Sequence, residues 1–475
     1  MMRLLMTWLV GLKLCFSLAV SMANGPTNLL LIMVDDLGYG DLGSFGHPII
    51  QSPNLDRLAA TGVRFTEYYS SSALCSPSRA ALLTGRHPYR SGIRSWIPEH
   101  SGVYLREHEI TLAELLQDKG YQTALIGKWH LNSDLGAVDE PQPNDQGFDY
   151  FYGHNAFQTP TNRNPNNLFR DRIKLPVQPG YTADLYARES INWLRDRRVD
   201  RPFFLMLSMA EPHTPIENPP EVNAIYASHT QGNVIPIPSG LAKPPKSLLT
   251  PRGPGEYFAN VTYMDQGIGA VLDYLQTAGL RTSTLIVFVS DNGPVTDDWI
   301  NWYEVNAYGS TAGYRGRKHF LYEGGIKVPA IMSLPGIIPE NIVSDVMFTG
   351  TDWLATLGTL LDFKVPEDRP IDSVDVSAAV LNEAPVLLRA FHWALPTPNQ
   401  HDYVIRQGAA KLMLDADHKP IAFFDLETDS LEMFNLISTR GAEVETLTRE
   451  HVRYFEAVMA DPLRPALGRD QSGHE

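Results

Sequence analysis

The chain has 475 residues and carries 39 Lys and Arg against 54 Asp and Glu, a formal charge of −15. That balance argues against nucleic acid as a partner and requires any anion site to be assembled locally. With 43% hydrophobic, 10% aromatic and 20% charged residues, the composition excludes a disordered polypeptide and supports a large core.

The opening segment, residues 1–23, has basic Arg3 and Lys13, an apolar stretch over 14–20, and small Ser21 and Ala23. This is the pattern of a secretory signal cleaved near Ala23, so the mature protein is expected to be secreted or periplasmic. Lys13 leaves the apolar run short of the roughly 20 residues that span a bilayer, so no stable membrane insertion is expected. Lys13 and Leu14 before Cys15 are not small, which argues against lipidation there. Cleavage leaves Cys75 as the sole cysteine, with no internal disulfide to explain it. A lone cysteine is ordinarily a small buried hydrophobe, and its neighbours must decide whether it is more.

In chain order, strands are predicted at NLLLIMV (28–34), YQTALIG (121–127), PFFLMLSM (202–209) and TLIVFVS (284–290). Helices are predicted over 54–62, 111–120, 183–196 and 257–279, several ended by a glycine. Such alternation marks an α/β fold with a large mixed, mainly parallel sheet flanked by helices. Two stretches rich in Pro and Asn, 154–181 and 214–254, read as loops at the sheet's rim. Beyond residue 385 come short strand candidates, RAFHWA, DYVIRQ, AKLMLDA and AFFDL, and then a helix over 443–460. They predict a smaller C-terminal α+β subdomain with an antiparallel sheet. The expected organisation is a signal at 1–23, a catalytic domain at 24–385 and this subdomain at 386–475.

Open parallel sheets bind ligands at the carboxyl ends of their strands. There the sequence places Asp35 and Asp36, Lys128 and His130, His213, and Asp291 with Asn292. Singly, each has an ordinary role as a turn or cap residue; their joint recurrence points to a site. Asp35, Asp36, Asp291 and Asn292 are an all-oxygen set of the kind Ca²⁺ or Mg²⁺ prefers. Three carboxylates around a dication stay net negative, so an anionic substrate needs further cations, for which Arg79, Lys128, His130, His213 and Lys318 are candidates. The run CSPSRAALLTGR reads as a loop entering a helix near Pro77 and leaving it at Gly85, with Cys75 at the helix start. Free backbone N–H groups favour an anion there, and Arg79 faces the same side.

These motifs resemble the type I, formylglycine-dependent sulfatase family of the alkaline phosphatase superfamily over nearly all of the mature chain. CSPSRAALLTGR matches the family's modification motif, and NLLLIMVDDLGYGD, GKWHL, EPHTP, FVSDNG and YRGRKHFLYEGGIKVPA match in order. The resemblance implies an alkaline-phosphatase-like fold and oxidation of Cys75 to Cα-formylglycine by a formylglycine-generating or equivalent maturation enzyme. One oxygen of the hydrated aldehyde then attacks sulfur in line with the departing alcohol, giving a sulfo-enzyme, and the second hydroxyl loses its proton and expels sulfate, restoring the aldehyde. It also implies that Asp35, Asp36, Asp291 and Asn292, with Cys75 as formylglycine, hold Ca²⁺ or Mg²⁺. Arg79 stabilises the diol, Lys128 and Lys318 hold sulfate oxygens, His130 helps deprotonate the diol, and His213 lies near the leaving oxygen. Arg315, Gly316 and Arg317 depart from the family's usual pair of glycines before the lysine, while Lys318 keeps its spacing to Glu323, Gly324 and Gly325. No serine follows the GFDYFYG stretch; His154 and Asn155 stand there instead.

The expected function is hydrolysis of sulfate esters by a secreted enzyme. A phosphate or phosphonate monoester hydrolase of the same superfamily is the alternative enzyme, and a non-catalytic carbohydrate-binding protein the alternative of another class. The latter would be expected to have lost one of Cys75, Asp35, Asp36, Asp291 or Lys318, and all are present. Trp96, His154, Asn155, Trp299, Trp302, Tyr303, Tyr308, Tyr314 and Arg317 combine flat apolar faces with polar donors, which suits sugar rings. Any one of these aromatics alone more often anchors a loop. A sulfated saccharide, attacked from a chain end, is the expected substrate, with His154, Asn155, Trp302, Tyr303 and Arg317 as candidate contacts. The oligomeric state is not legible.

Overall fold

The computed structural model describes residues 27–229, 253–295, 308–381, 388–396 and 402–465. The signal segment, the boundary near 385, and Trp299, Trp302 and Tyr303 lie outside the described residues. In chain order the described strands are β1 (Asn28–Val34), β2 (Val63–Phe65), β3 (Tyr68–Tyr69), β4 (Gln122–Lys128), β5 (Tyr150–His154), β6 (Phe169–Arg170), β7 (Ile173–Lys174) and β8 (Phe203–Ser208). They continue with β9 (Thr284–Ser290), β10 (Ala330–Ser333), β11 (Ile342–Ser344), β12 (Phe348–Thr349), β13 (Ala390–Ala394), β14 (Tyr403–Gln407), β15 (Ala410–Leu414) and β16 (Pro420–Asp425).

Ten strands make one mixed sheet in the order β11-β2-β10-β9-β1-β8-β4-β5-β6-β7. Its centre, β9-β1-β8-β4-β5, is parallel, and β10 and β6 join it antiparallel. Every residue of β1 is buried, as expected of a central parallel strand covered on both faces. Leu30, Ile32 and Val34 pack on one side with helices Pro53–Ala60, Thr182–Asp196 and Pro254–Thr277. Leu29, Leu31 and Met33 pack on the other with helices Cys75–Thr84, Leu112–Asp118 and Trp353–Leu360. The stretch 154–181, read as loop, contains the β6-β7 hairpin, whose two-residue strands are too short to leave a period in the sequence.

The C-terminal strands form a four-stranded antiparallel sheet, β13-β14-β15-β16. One face, with Trp393, Val404, Met413 and Phe424, packs on Tyr69, Leu74, Leu321 and Ile326 of the main unit. The other, with Ile405, Leu412 and Phe423, packs on Val444 and Leu447 of helix Gly441–Met459. Among the described residues no helix is long and apolar enough to cross a membrane.

Candidate active site

The central parallel strands end in step: Val34 pairs with Ser290, Met33 with Ser208, Gly127 with Ser208, and Lys128 with His154. The residues just beyond them therefore share one rim. Gly127 at φ +117° lets β4 pass there, because a Cβ would lie 1.7 Å from the Ser208 carbonyl oxygen.

Asp35, Asp36, Asp291 and Asn292 meet at this rim and are all at most 1% exposed. The Asp36 N–H donates to Asp291 Oδ1 (3.1 Å) and Asn292 Nδ2 donates to Asp36 Oδ1 (2.7 Å). Asp36 takes a left-handed φ of 65°, which aspartate tolerates better than most residues. Asn292 Oδ1 is buried with no hydrogen-bond partner among the described residues, an oxygen that a hard cation would satisfy. Ligand atoms of Asp35, Cys75 and Asp291, and separately of Asp35, Asp36 and His213, lie within 4.8 Å of one another. The donor set thus fits one divalent cation.

Helix Cys75–Thr84 points its first turn at the same place. Leu74, its N-cap, is extended and offers no side-chain cap, so the first N–H groups of the helix have no acceptor from the N-cap side chain. Gly85 ends the helix at φ 65°, where a Cβ would press on Leu354. The helix starts two residues earlier than the expected Pro77, placing Cys75 in its first turn. Cys75 Sγ lies 3.6 Å from Asp35 Oδ1 and 3.4 Å from Lys318 Nζ. Burial pushes the thiol up to about 12, against the pull of Lys128 and Lys318.

Arg79, one helical turn on, is 1% exposed and grips Asp291 Oδ2 through Nε (3.0 Å) and Nη2 (2.8 Å). Its Nη1 donates to Ser208 Oγ (2.7 Å) and to the Lys128 carbonyl (3.1 Å). Lys128 Nζ lies 2.5 Å from Asp35 Oδ2, and Lys318 Nζ 2.6 Å from Asp36 Oδ1. Burial opposes ionisation of Asp35, yet Lys128, His213, Arg79 and Lys318 together hold it well below the usual carboxylate range. Burial and the neighbouring Asp35 push Asp291 up to about 7. The charge of Asp36 and others holds Lys318 well above the usual lysine range despite burial.

The histidines are distinguished by their partners. His130 Nε2 donates to the Ile97 carbonyl (3.0 Å), since a carbonyl only accepts, which leaves Nδ1 buried as a bare lone pair. Burial and then Lys128 hold that ring well below the usual histidine range. His213 Nδ1 donates to the Thr214 carbonyl, and its Nε2 lies 3.7 Å from Asp36 Oδ2. At 20% side-chain exposure it is the ring of these with access to solvent. His154 Nδ1 meets the Tyr186 hydroxyl at 2.6 Å. Asn155 Nδ2 donates to the Asn132 carbonyl (2.8 Å), and its Oδ1 is buried without a partner.

Arg317 Nη1 donates to the Val295 carbonyl (3.2 Å). Tyr314 stands edge-on to Tyr39 with Lys327 over its face, the loop-anchoring role, and Trp96 is 40% exposed. Sequence reasoning missed Ser208 and Tyr186. Ser208 had a usable signal, since it ends a strand whose neighbours all end in site residues.

The family model described as Sulfatase matches residues 27–363. Arylsulfatase A of Bos taurus is 32% identical over 98% of this chain and 94% of that protein. N-acetylgalactosamine-6-sulfatase of Canis lupus familiaris is 32% identical over 76% of this chain and 67% of that protein. The solved structure of Ps i-CgsB in complex with k-i-k-neocarrahexaose superposes with a TM-score of 0.77 at 26% identity, covering 94% of this chain and 96% of that one.

Proposed function

The chain belongs to the sulfatase family and is a hydrolase of sulfuric esters, and from that premise we propose that it is an exported carbohydrate sulfatase using formylglycine made from Cys75 beside a bound Ca²⁺ or Mg²⁺. The observation that carries this reading is the convergence of Cys75 Sγ on Asp35 Oδ1 (3.6 Å) and Lys318 Nζ (3.4 Å) at the start of a buried helix. An unmodified thiol pushed up to about 12 is a poor nucleophile at neutral pH. A hydrated aldehyde at that position supplies hydroxyl groups instead. Asp35, Asp36, Asp291 and Asn292 would hold the cation, which would supply Lewis acidity there when bound.

The chain's own groups divide the remaining work. The bare Nδ1 of His130 accepts a proton from a hydroxyl. Lys128 and Lys318 offer ammonium donors to sulfuryl oxygens, where fixed cations lower the barrier most. Arg79 locks Asp291 and orients the first helical turn. His213, the solvent-accessible ring, takes up a proton from water at Nε2 and relays it to the departing alcohol.

The saccharide assignment is supported by the buried polar groups beside the site, His154 and Asn155, and by the k-i-k-neocarrahexaose bound in the solved structure of Ps i-CgsB. Residues 1–23 support export. Two measurements test the proposal. Peptide mass spectrometry should find Cys75 lighter by about 18 Da, the change from thiol to aldehyde; a free thiol in fully active enzyme would defeat it. A panel of defined sulfated saccharides should release sulfate, and turnover confined to small aryl sulfates would defeat the carbohydrate assignment.

A further inference from the structure

His154 ends β5 opposite Lys128, the last residue of β4, so the two side chains leave the sheet on one face. The imidazole is fully buried. Burial, then the charges of Lys128, Arg79 and His213, hold it well below the usual histidine range, with Asp35 acting in the opposite sense. The ring is therefore neutral and has one N–H and one lone pair to distribute.

Tyr186, on helix Thr182–Asp196, decides the distribution. It too is fully buried, and among the described residues His154 Nδ1 is its one hydrogen-bond partner, at 2.6 Å. If Nδ1 donated to the phenol oxygen, the phenolic proton would be buried with no acceptor. If the phenol donates to Nδ1, both groups are satisfied. The imidazole proton then resides on Nε2, which has no partner among the described residues and belongs to the ring edge turned away from Tyr186.

We propose that Tyr186 is a positioning residue for sulfate ester hydrolysis, its hydroxyl fixing His154 in the Nε2–H tautomer so that the ring presents a neutral hydrogen-bond donor to a substrate oxygen. This rests on the reading of His154 as a substrate-facing residue. His130 is set the opposite way by the Ile97 carbonyl and presents a lone pair. The site thus holds one histidine fixed as acceptor and one fixed as donor, and neither carries charge. A neutral donor strengthens its bond as charge builds on the sulfuryl group without adding a fourth buried cation to Arg79, Lys128 and Lys318.

The test uses full-length mature enzyme labelled with ¹⁵N-histidine, with the His154 signals identified by their loss in His154→Gln. Long-range ¹⁵N–¹H correlation should show a protonated Nε2 and an unprotonated Nδ1. In Tyr186→Phe the two signals should move toward each other as both tautomers become populated, and kcat/KM on 4-nitrophenyl sulfate should fall about 10- to 100-fold, the usual effect of losing an orienting partner. Tyr152→Phe, which removes a neighbouring phenol hydroxyl with no bond to His154, should leave both readouts unchanged. A proton on Nδ1 in the unmutated enzyme overturns the proposal, as does a Tyr186→Phe enzyme with unaltered signals and kcat/KM. Enzyme whose Cys75 is unmodified still reports the tautomer, so failure of the formylglycine reading and failure of this one are separate results.

Discussion

Lys411 on β15 has no exposed surface, and its Nζ lies 2.9 Å from Glu323 Oε1 and 2.8 Å from Glu432 Oε1, both buried. This pair of contacts ties the C-terminal sheet to the segment that carries Lys318. Replacing Lys411 by Met preserves most of the volume and deletes the charge. Glu323 keeps Arg406 at 3.4 Å and the Tyr69 hydroxyl at 2.7 Å, so Glu432, which keeps the Glu323 N–H at 2.7 Å, carries the loss. Breaking a buried pair costs about 3–5 kcal/mol, but Glu432 has an exit by taking up a proton. From an ordinary value of 4.5, protonation at pH 7 costs about 3.4 kcal/mol at 1.36 kcal/mol per pH unit, so the expected loss is about 3 kcal/mol. The folded variant then binds one more proton than its unfolded chain, so its stability falls as pH rises. Urea denaturation should accordingly show a gap to the unmutated enzyme that is about 1.4 kcal/mol smaller at pH 6 than at pH 7. Adding Glu432→Gln should recover most of the loss. A gap under about 1 kcal/mol at pH 7, or one that ignores pH, would refute the reasoning.

Chelation should abolish turnover and added Ca²⁺ restore it, and Asp291→Ala should remove turnover in a protein that still unfolds cooperatively; full activity after exhaustive metal removal contradicts the cation assignment. Cys75→Ser should stop after at most one turnover and Cys75→Ala should release no sulfate at all, read by single-turnover sulfate release. His451 is fully buried and burial, with His418 and His87, lowers it from 6.5 to about 3. It stays neutral in the fold while the unfolded chain protonates below 6.5, so it contributes stability that is present above that value and lost as pH falls toward 3. Between pH 6.5 and pH 5, His451→Gln should lose about 2 kcal/mol less than the unmutated enzyme; equal losses by urea denaturation count against the assignment.

Why some of this was legible in the sequence follows from how far apart the partners are. β1 and β9 are buried along their whole length, and an unbroken apolar run of that length ending in acids declares both the strand and the rim. β2, β10 and β11 span three or four residues, too few for any period. Asp35, Asp36, Asp291 and Asn292 were readable because each stands directly after a strand. Tyr186 and Lys411 were not, because their roles exist only through partners 32 and 88 positions away. A helix tyrosine and a strand lysine say nothing until the fold brings His154 and Glu323 to them.

The charges at the site also bear on the choice between sulfate and phosphate. Asp35, Asp36 and Asp291 face Arg79, Lys128 and Lys318 at contact distances of 2.5 to 3.0 Å, so with Asp291 fully ionised beside a bound dication the protein groups cancel, and burial keeps His130 and His154 neutral. The proposed dication would add two positive charges to a pocket almost closed to water. A sulfate monoester brings one negative charge and a hydroxyl nucleophile whose proton has passed through His130 to solvent a second, and the sum returns to zero. A phosphate monoester dianion would bring one more, and an uncompensated charge at this depth costs several kcal/mol. The residues proposed to hold a tetrahedral anion would therefore favour the singly charged one, and would do so through net charge, because the two anions share their shape.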